Sequence, residues 1–496
     1  MMKNERIISN TVLVFVFISI VAYFVFLQFV SPTMYGVDAY YHIAVANFIK
    51  DFGPRYEFRW AQFSTFKEFF SDKEFLFHLP IIPFLYLIED PVIAGKCAVV
   101  FYTVLLLLAY VFILKQYLHP FLAACFLMLP VFSTIFSIYL LYLRPGTLAN
   151  ILTILSIYCL IEKKWAMLFI LSVLFTLSHI SFFTVVIFAL ICEMIRYAVK
   201  KEFCIRNMYI PVIGILAGSF LHPNFPNNLL SLHLNGFVVP FHTAKGLDLC
   251  FGRELFATNT KDAFMSNFAI FMTINLALLM AFTAKIKVRL STFIWWGCAS
   301  AYFILAMSAT RHWYPANLLV FIFFASFIND WVGDRPWRSV RRNINAAIIV
   351  YSVVAAVILV PNAKELENAL AESVRGNITN ENAGRWMKYN VPEGETIYHG
   401  FWSDAPALMC LNPKNNYIMV LDPIYMVYKY PIEFKAYIDL IRGIPKDPYN
   451  DLKNVLKVNY GYIRNGTWLY AHLKTEKPEN FIILYEDYQS IIFKIT

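Results

Sequence analysis

Just beyond the first apolar stretch comes Tyr35-Gly-Val-Asp-Ala-Tyr-Tyr-His42, followed by a helical pattern to Ile49. Asp38 and His42 are four residues apart, so a helix starting here sets a carboxylate and an imidazole on one face. A carboxylate so placed can take a proton from an incoming hydroxyl, and an aspartate at a helix start can equally be its N-cap. Candidate cations stand at Lys73, Arg144 and Arg311, and an arginine fork suits two phosphate oxygens at once. A solvated loop lysine explains Lys73 as well, and a snorkelling interface residue explains either arginine. Among the histidines, His42, His78 and His179 are candidates for substrate contact, as is Tyr314 beside Arg311. His222, His233, His242 and His312 gather at the same end of the topology below, and a hydrogen-bonded structural role is the competing explanation for most of these histidines.

The elements that must position these groups are membrane helices. Hydrophobic residues make up 59% of the 496 positions and charged residues only 15%, a balance that excludes a soluble globule. The net charge of +9 falls in short clusters between apolar stretches, which is the pattern of membrane topology and argues against a nucleic-acid partner. Eight cysteines show no CxxC pair and no metal-ligand spacing, and only Cys250 and Cys410 fall in outward segments. The run from Ser9 to Val30 lacks a small-residue cleavage site and reads as a retained first span.

Spans are expected at about 9–31, 92–114, 120–142, 147–161, 165–178, 180–195, 208–222, 263–284, 290–308, 312–329 and 343–361, eleven in all. With the N-terminus cytoplasmic, Lys115, Lys163, Lys164, Arg196, Lys200, Lys201, Arg206, Lys285, Lys287, Arg289, Arg335, Arg338, Arg341 and Arg342 all face inward, as the positive-inside rule requires. The apolar stretch Glu74 to Leu87 is short and holds Pro80 and Pro83, so it is placed as an interfacial helix. A transmembrane module of residues 1–362 then carries outer loops 32–91 and 223–262. Residues 363–496 form a small extracytoplasmic α/β domain, with alternating runs at Tyr417–Leu421 and Ile482–Tyr485. Two sequons there, Asn377-Ile-Thr and Asn465-Gly-Thr, are accessible if the domain is outside. Trp402-Ser-Asp-Ala-Pro406 and Leu421-Asp-Pro-Ile-Tyr425 read as acceptor-presenting segments or as ordinary turns.

The Gly-x-Asp-x-Tyr-Tyr-His pattern resembles the first outer loop of the GT-C membrane glycosyltransferases. That superfamily includes oligosaccharyltransferase catalytic subunits, protein O-mannosyltransferases and aminoarabinose transferases. The likeness extends to Asp72-Lys73-Glu74-Phe75-Leu76, to Glu89-Asp-Pro-Val-Ile-Ala-Gly-Lys96, to Leu143-Arg-Pro-Gly146 and to Arg311-His-Trp-Tyr-Pro315. It implies transfer of a sugar from a polyprenyl-phosphate donor to a protein, lipid or glycan acceptor at the outer face. Asp38 would be the base, and Lys73, Arg144 and Arg311 would hold the departing phosphate. It also raises a divalent cation, Mg or Mn, for which Asp38, Asp72 and Glu254 are the available acids. Arg144-Pro145-Gly146 lacks the second acid of oligosaccharyltransferases, and Trp295-Trp296-Gly297 lies inside a span in place of their peptide motif. These departures favour a single-sugar, metal-independent transferase. A transporter or lipid flippase and a non-catalytic scaffold of the same architecture are the alternatives. The spans are nearly free of charge, which speaks against the transporter.

Overall fold

The computed structural model describes residues 2–244, 252–283, 286–333, 337–420, 423–445, 447–475 and 479–496. Cys250, Lys285, Arg335, Leu421 and Asp422 lie outside the described residues, as do the side chains of His242, Arg338, Arg341 and Arg342. Each of the eleven apolar stretches read from the sequence is helical over most of its length. By length and composition, five of the described helices could cross a bilayer unaided: Arg6–Val30, Pro91–Tyr117, Ile180–Lys200, Leu290–Ser308 and Thr310–Val332. Two bent pairs, Pro120–Phe132 with Thr134–Leu141 and Thr260–Ser266 with Phe268–Thr283, bring that number to seven. Gly146–Glu162, Trp165–Thr176 and Ile205–Leu221 are apolar but shorter. The chain is an integral membrane protein.

Contacts divide it into two compact units. The first holds Met1–Val30, Val99–Leu221 and Gly252–Leu370. Its first bent pair turns by 86°. Pro130 offers no backbone N–H to the turn there, and the Ser133 side chain caps the next helix by accepting from Phe136 N. Helices Trp165–Thr176 and Ile205–Leu221 approach through Gly214 and Gly218, a small-xxx-small pair. A Cβ at Gly214 would stand 2.6 Å from Ser172 Cβ and 2.9 Å from the Phe169 carbonyl, so only glycine fits. Buried Glu193 accepts from Arg196 Nε (3.1 Å), Asn207 Nδ2 (2.7 Å) and Cys204 N (2.6 Å). A charge taken out of water needs that number of partners.

The second unit comprises Ser31–Ala98, His222–Phe251 and Ala371–Thr496, so the segment after the first apolar helix and the tail pack as one body. Five strands, β1 (Thr396–His399), β2 (Asn416–Tyr417), β3 (Tyr460–Arg464), β4 (Phe481–Glu486) and β5 (Ser490–Ile495), form a mixed sheet in the order β2-β1-β3-β5-β4. The first three run parallel, and β5 is antiparallel to β3 and β4. Tyr398, Met419, Tyr437, Ile463, Leu469 and Phe493 lie in its core. The loop segment Trp60–Phe63 runs beside β2: Tyr417 N donates to Trp60 O (2.7 Å), and Gln62 N donates to Tyr417 O (2.9 Å). Helix Asp38–Phe52 buries ten of its residues, and Ala405–Leu411 packs against it.

Two local expectations change, and a third segment takes the turn reading. The expected interfacial helix is broken into Phe75–His78, a 3-10 turn Leu79–Ile81 and Ile82–Leu87, with Pro80 and Pro83 at the joints. Asn377 is buried inside helix Trp337–Asn390, and its amide donates to Met34 O (2.9 Å), so this sequon presents no free acceptor; Asn465 sits on an exposed turn. Trp402–Asp404 is a turn leading into a helix, where Asp404 accepts from Phe401 N (3.3 Å) and pairs with Arg464 (2.8 Å).

Candidate active site

Asp38 is the first residue of helix Asp38–Phe52, and the cap is Val37, which has no side-chain bond to offer. The partly exposed carboxylate of Asp38 stands in the first turn, where the helix dipole favours negative charge. One turn on, buried His42 meets the second stretch singled out in the sequence. His42 Nδ1 lies 2.8 Å from His78 Nε2, and His78 Nδ1 lies 2.7 Å from Asp72 Oδ2. With Asp72 ionised, His78 donates from Nδ1, leaving its Nε2 to accept from His42 Nδ1–H. Tyr41 and Phe77 enclose both rings edge-on.

The segment His222–Phe251 adds to this cluster. Asp72 N donates to Asn224 Oδ1 (3.1 Å), Asn224 N donates to His222 Nδ1 (3.1 Å), and His222 Nε2 donates to Asp72 O (3.0 Å). That closed ring requires neutral His222, since its Nδ1 accepts while its Nε2 donates. Lys73 Nζ donates to Asn235 Oδ1 (3.4 Å) and lies 3.7 Å from Glu74. Asn235 also bonds the Tyr425 hydroxyl. Asn224 and Asn235 escaped the sequence reading because a lone asparagine in a loop carries no periodicity or spacing to mark it.

In the first unit, Arg144 is ion-paired with Glu254 and lies over the rings of Tyr139 and Tyr142. Tyr314 is buried, stacked on Tyr139 at 5.1 Å, with its hydroxyl 3.2 Å from Thr147 Oγ1. Arg311 sits exposed on the turn Thr310–His312. His179 caps the 3-10 turn Ile180–Phe183, accepting from Ser181 N (3.1 Å), which is the structural role weighed above.

A metal finds no ready-made set. Among the described residues no three His, Cys, Asp or Glu side chains gather closely enough to hold an ion. Of the three acids considered, Asp72 is engaged by His78 and Glu254 by Arg144.

No protein-family model matches the sequence, and no curated protein matches it. Solved structures do. The archaeal oligosaccharyltransferase AglB from Archaeoglobus fulgidus, in complex with an inhibitory peptide and a dolichol-phosphate, matches with TM-score 0.61 at 11% identity, over 95% of this chain and 70% of that one. ArnT from Cupriavidus metallidurans, bound to undecaprenyl phosphate, matches with TM-score 0.60 at 10% identity over 97% of both chains. The Archaeoglobus oligosaccharyltransferase in complex with Zn and sulfate matches with TM-score 0.58 at 13% identity, over 90% of this chain and 65% of that one. The chain has the fold of GT-C glycosyltransferases.

Proposed function

We propose that this protein is a membrane glycosyltransferase that moves a sugar from a polyprenyl-phosphate carrier to an acceptor. The observation that carries the proposal is the grouping, within one compact unit, of Asp38 at a helix start, the Asp72–His78–His42 chain and Lys73, in a fold shared with structures that hold dolichol-phosphate and undecaprenyl phosphate. Asp38 takes the proton from the acceptor hydroxyl as that oxygen bonds to the sugar's anomeric carbon. The bond from that carbon to the phosphate oxygen breaks, and the polyprenyl phosphate leaves with the electron pair. Attack opposite the leaving group inverts the anomeric centre.

Lys73 offers its ammonium to the departing phosphate. Asn235 and Glu74 hold the lysine and limit the rotamers it must give up on binding. Arg144 and Arg311, both in the first unit, are proposed as further phosphate-binding cations. His42, its ring orientation held by His78 and Asp72, is proposed to contact substrate. His78 is its support. No step runs through a metal. The topology goes with this: N-terminus cytoplasmic, eleven spans, and loops 32–91 and 223–262 with the tail outside.

The test is a panel of polyprenyl-phosphate sugars incubated with the purified chain, scored for released polyprenyl phosphate. Turnover of one of them is expected, with Lys73→Ala raising the donor KM about tenfold, the worth of one charge-assisted contact. A panel on which the parent releases nothing overturns the proposal.

A further inference from the structure

The backbone just before Asp38 has a holding device of its own. Residues 32–34 form no regular element, and Gly36 adopts φ +75°, a conformation that side chains disfavour. The backbone groups around them still need partners once buried. Gly36 N donates to Ser373 Oγ (2.9 Å), and Asn377 Nδ2 donates to Met34 O (2.9 Å). Met34 N donates to the Tyr40 hydroxyl (3.2 Å), which in turn donates to Glu381 Oε1 (2.6 Å). Ser373, Asn377 and Glu381 recur every four residues on helix Trp337–Asn390, so they form one face. Two residues before Asp38 and two after it, the chain is fixed from a helix more than 330 residues further along.

We propose that Ser373, Asn377 and Glu381 are positioning residues that hold the Met34–Tyr40 backbone, and through it the Asp38 carboxylate, in working geometry. This rests on the transferase reading for its kinetic consequence but not for its structural one. Tyr40 is fully buried, and its ring fixes where the hydroxyl can reach, so the Met34–Tyr40–Glu381 connection has one arrangement. What the connection uses is one acceptor oxygen, Glu381 Oε1, for the Tyr40 hydroxyl. An amide at position 381 offers the same oxygen.

The experiment uses the purified full chain in lipid nanodiscs and two readouts. Amide hydrogen exchange is followed in peptides covering residues 31–42 and, as a control for global folding, in β3 and β5; kcat and donor KM are taken from polyprenyl-phosphate release. Tyr40→Phe, Asn377→Asp and the milder Ser373→Ala are expected to speed exchange in 31–42 by about tenfold, the loss of one buried hydrogen bond, with β3 and β5 unchanged. They should lower kcat while leaving donor KM at the parent value. Glu381→Gln should match the parent in both readouts. Parent-like exchange of 31–42 in Tyr40→Phe and Ser373→Ala overturns the proposal, as does acceleration shared equally by the sheet. If the parent turns over no donor, the exchange arm still decides whether the face positions the loop, and only the transferase reading falls.

Discussion

The side chains that matter in the second unit are held by more polar partners than their chemistry alone would need. His42 has its tautomer set by His78, which has its own set by Asp72, and Asp72 has its backbone gripped by Asn224 and His222. Such a chain fixes an imidazole far better than packing alone, because each bond is directional. His399 shows the same economy with a different consequence. It is fully buried, donates from Nδ1 to Phe401 O (2.8 Å) and accepts at Nε2 from Met419 N (3.4 Å), so it has no room for a second proton. Burial drives its pKa down to about 4. The unfolded chain, with histidine near 6.5, therefore binds that proton first, and stability present above about pH 6.5 is lost as the pH falls toward 4, by up to roughly 1.4 kcal/mol per unit. Thermal melts between pH 7 and 4.5 should show this loss and a shallower slope in His399→Gln. An unchanged slope would place the titration elsewhere.

At the scale of elements, glycine spacing and proline placement decide how helices meet. Gly214 and Gly218 let Ile205–Leu221 lie against Trp165–Thr176, and Gly214→Leu should lower the melting temperature by several degrees through overpacking of about 1–3 kcal/mol. A melt that matches the parent would mean the helices separate freely. The helices themselves were legible because a run of apolar residues has few other readings. The β4 strand and the Asp38 helix start were legible from alternation and from a membrane exit followed by helical period. What the sequence could not display is pairing between distant segments. Nothing in Asn377-Ile-Thr distinguishes a surface sequon from an amide turned inward to Met34, and nothing around Trp60 announces that it lies beside Tyr417. The tail's change of composition marks it off in the sequence, but nothing there announces that residues 31–98 pack in the same compact unit.

For the whole molecule, orientation and chemistry are separable claims. A reporter placed after Lys364 is expected outside the cytoplasm, as eleven spans from a cytoplasmic N-terminus require; a cytoplasmic signal would reverse the sidedness of every outer loop. The fold is that of GT-C glycosyltransferases, and a fold hosts chemistry without dictating it, so the central claim rests on one carboxylate. The direct measurement is release of polyprenyl phosphate from a lipid-linked sugar by purified parent and Asp38→Asn protein at matched folding, judged by exchange protection of β3 and β5. The account predicts that the asparagine variant loses at least about a hundredfold in rate, the usual worth of a positioned base. Equal rates in the two proteins would contradict it.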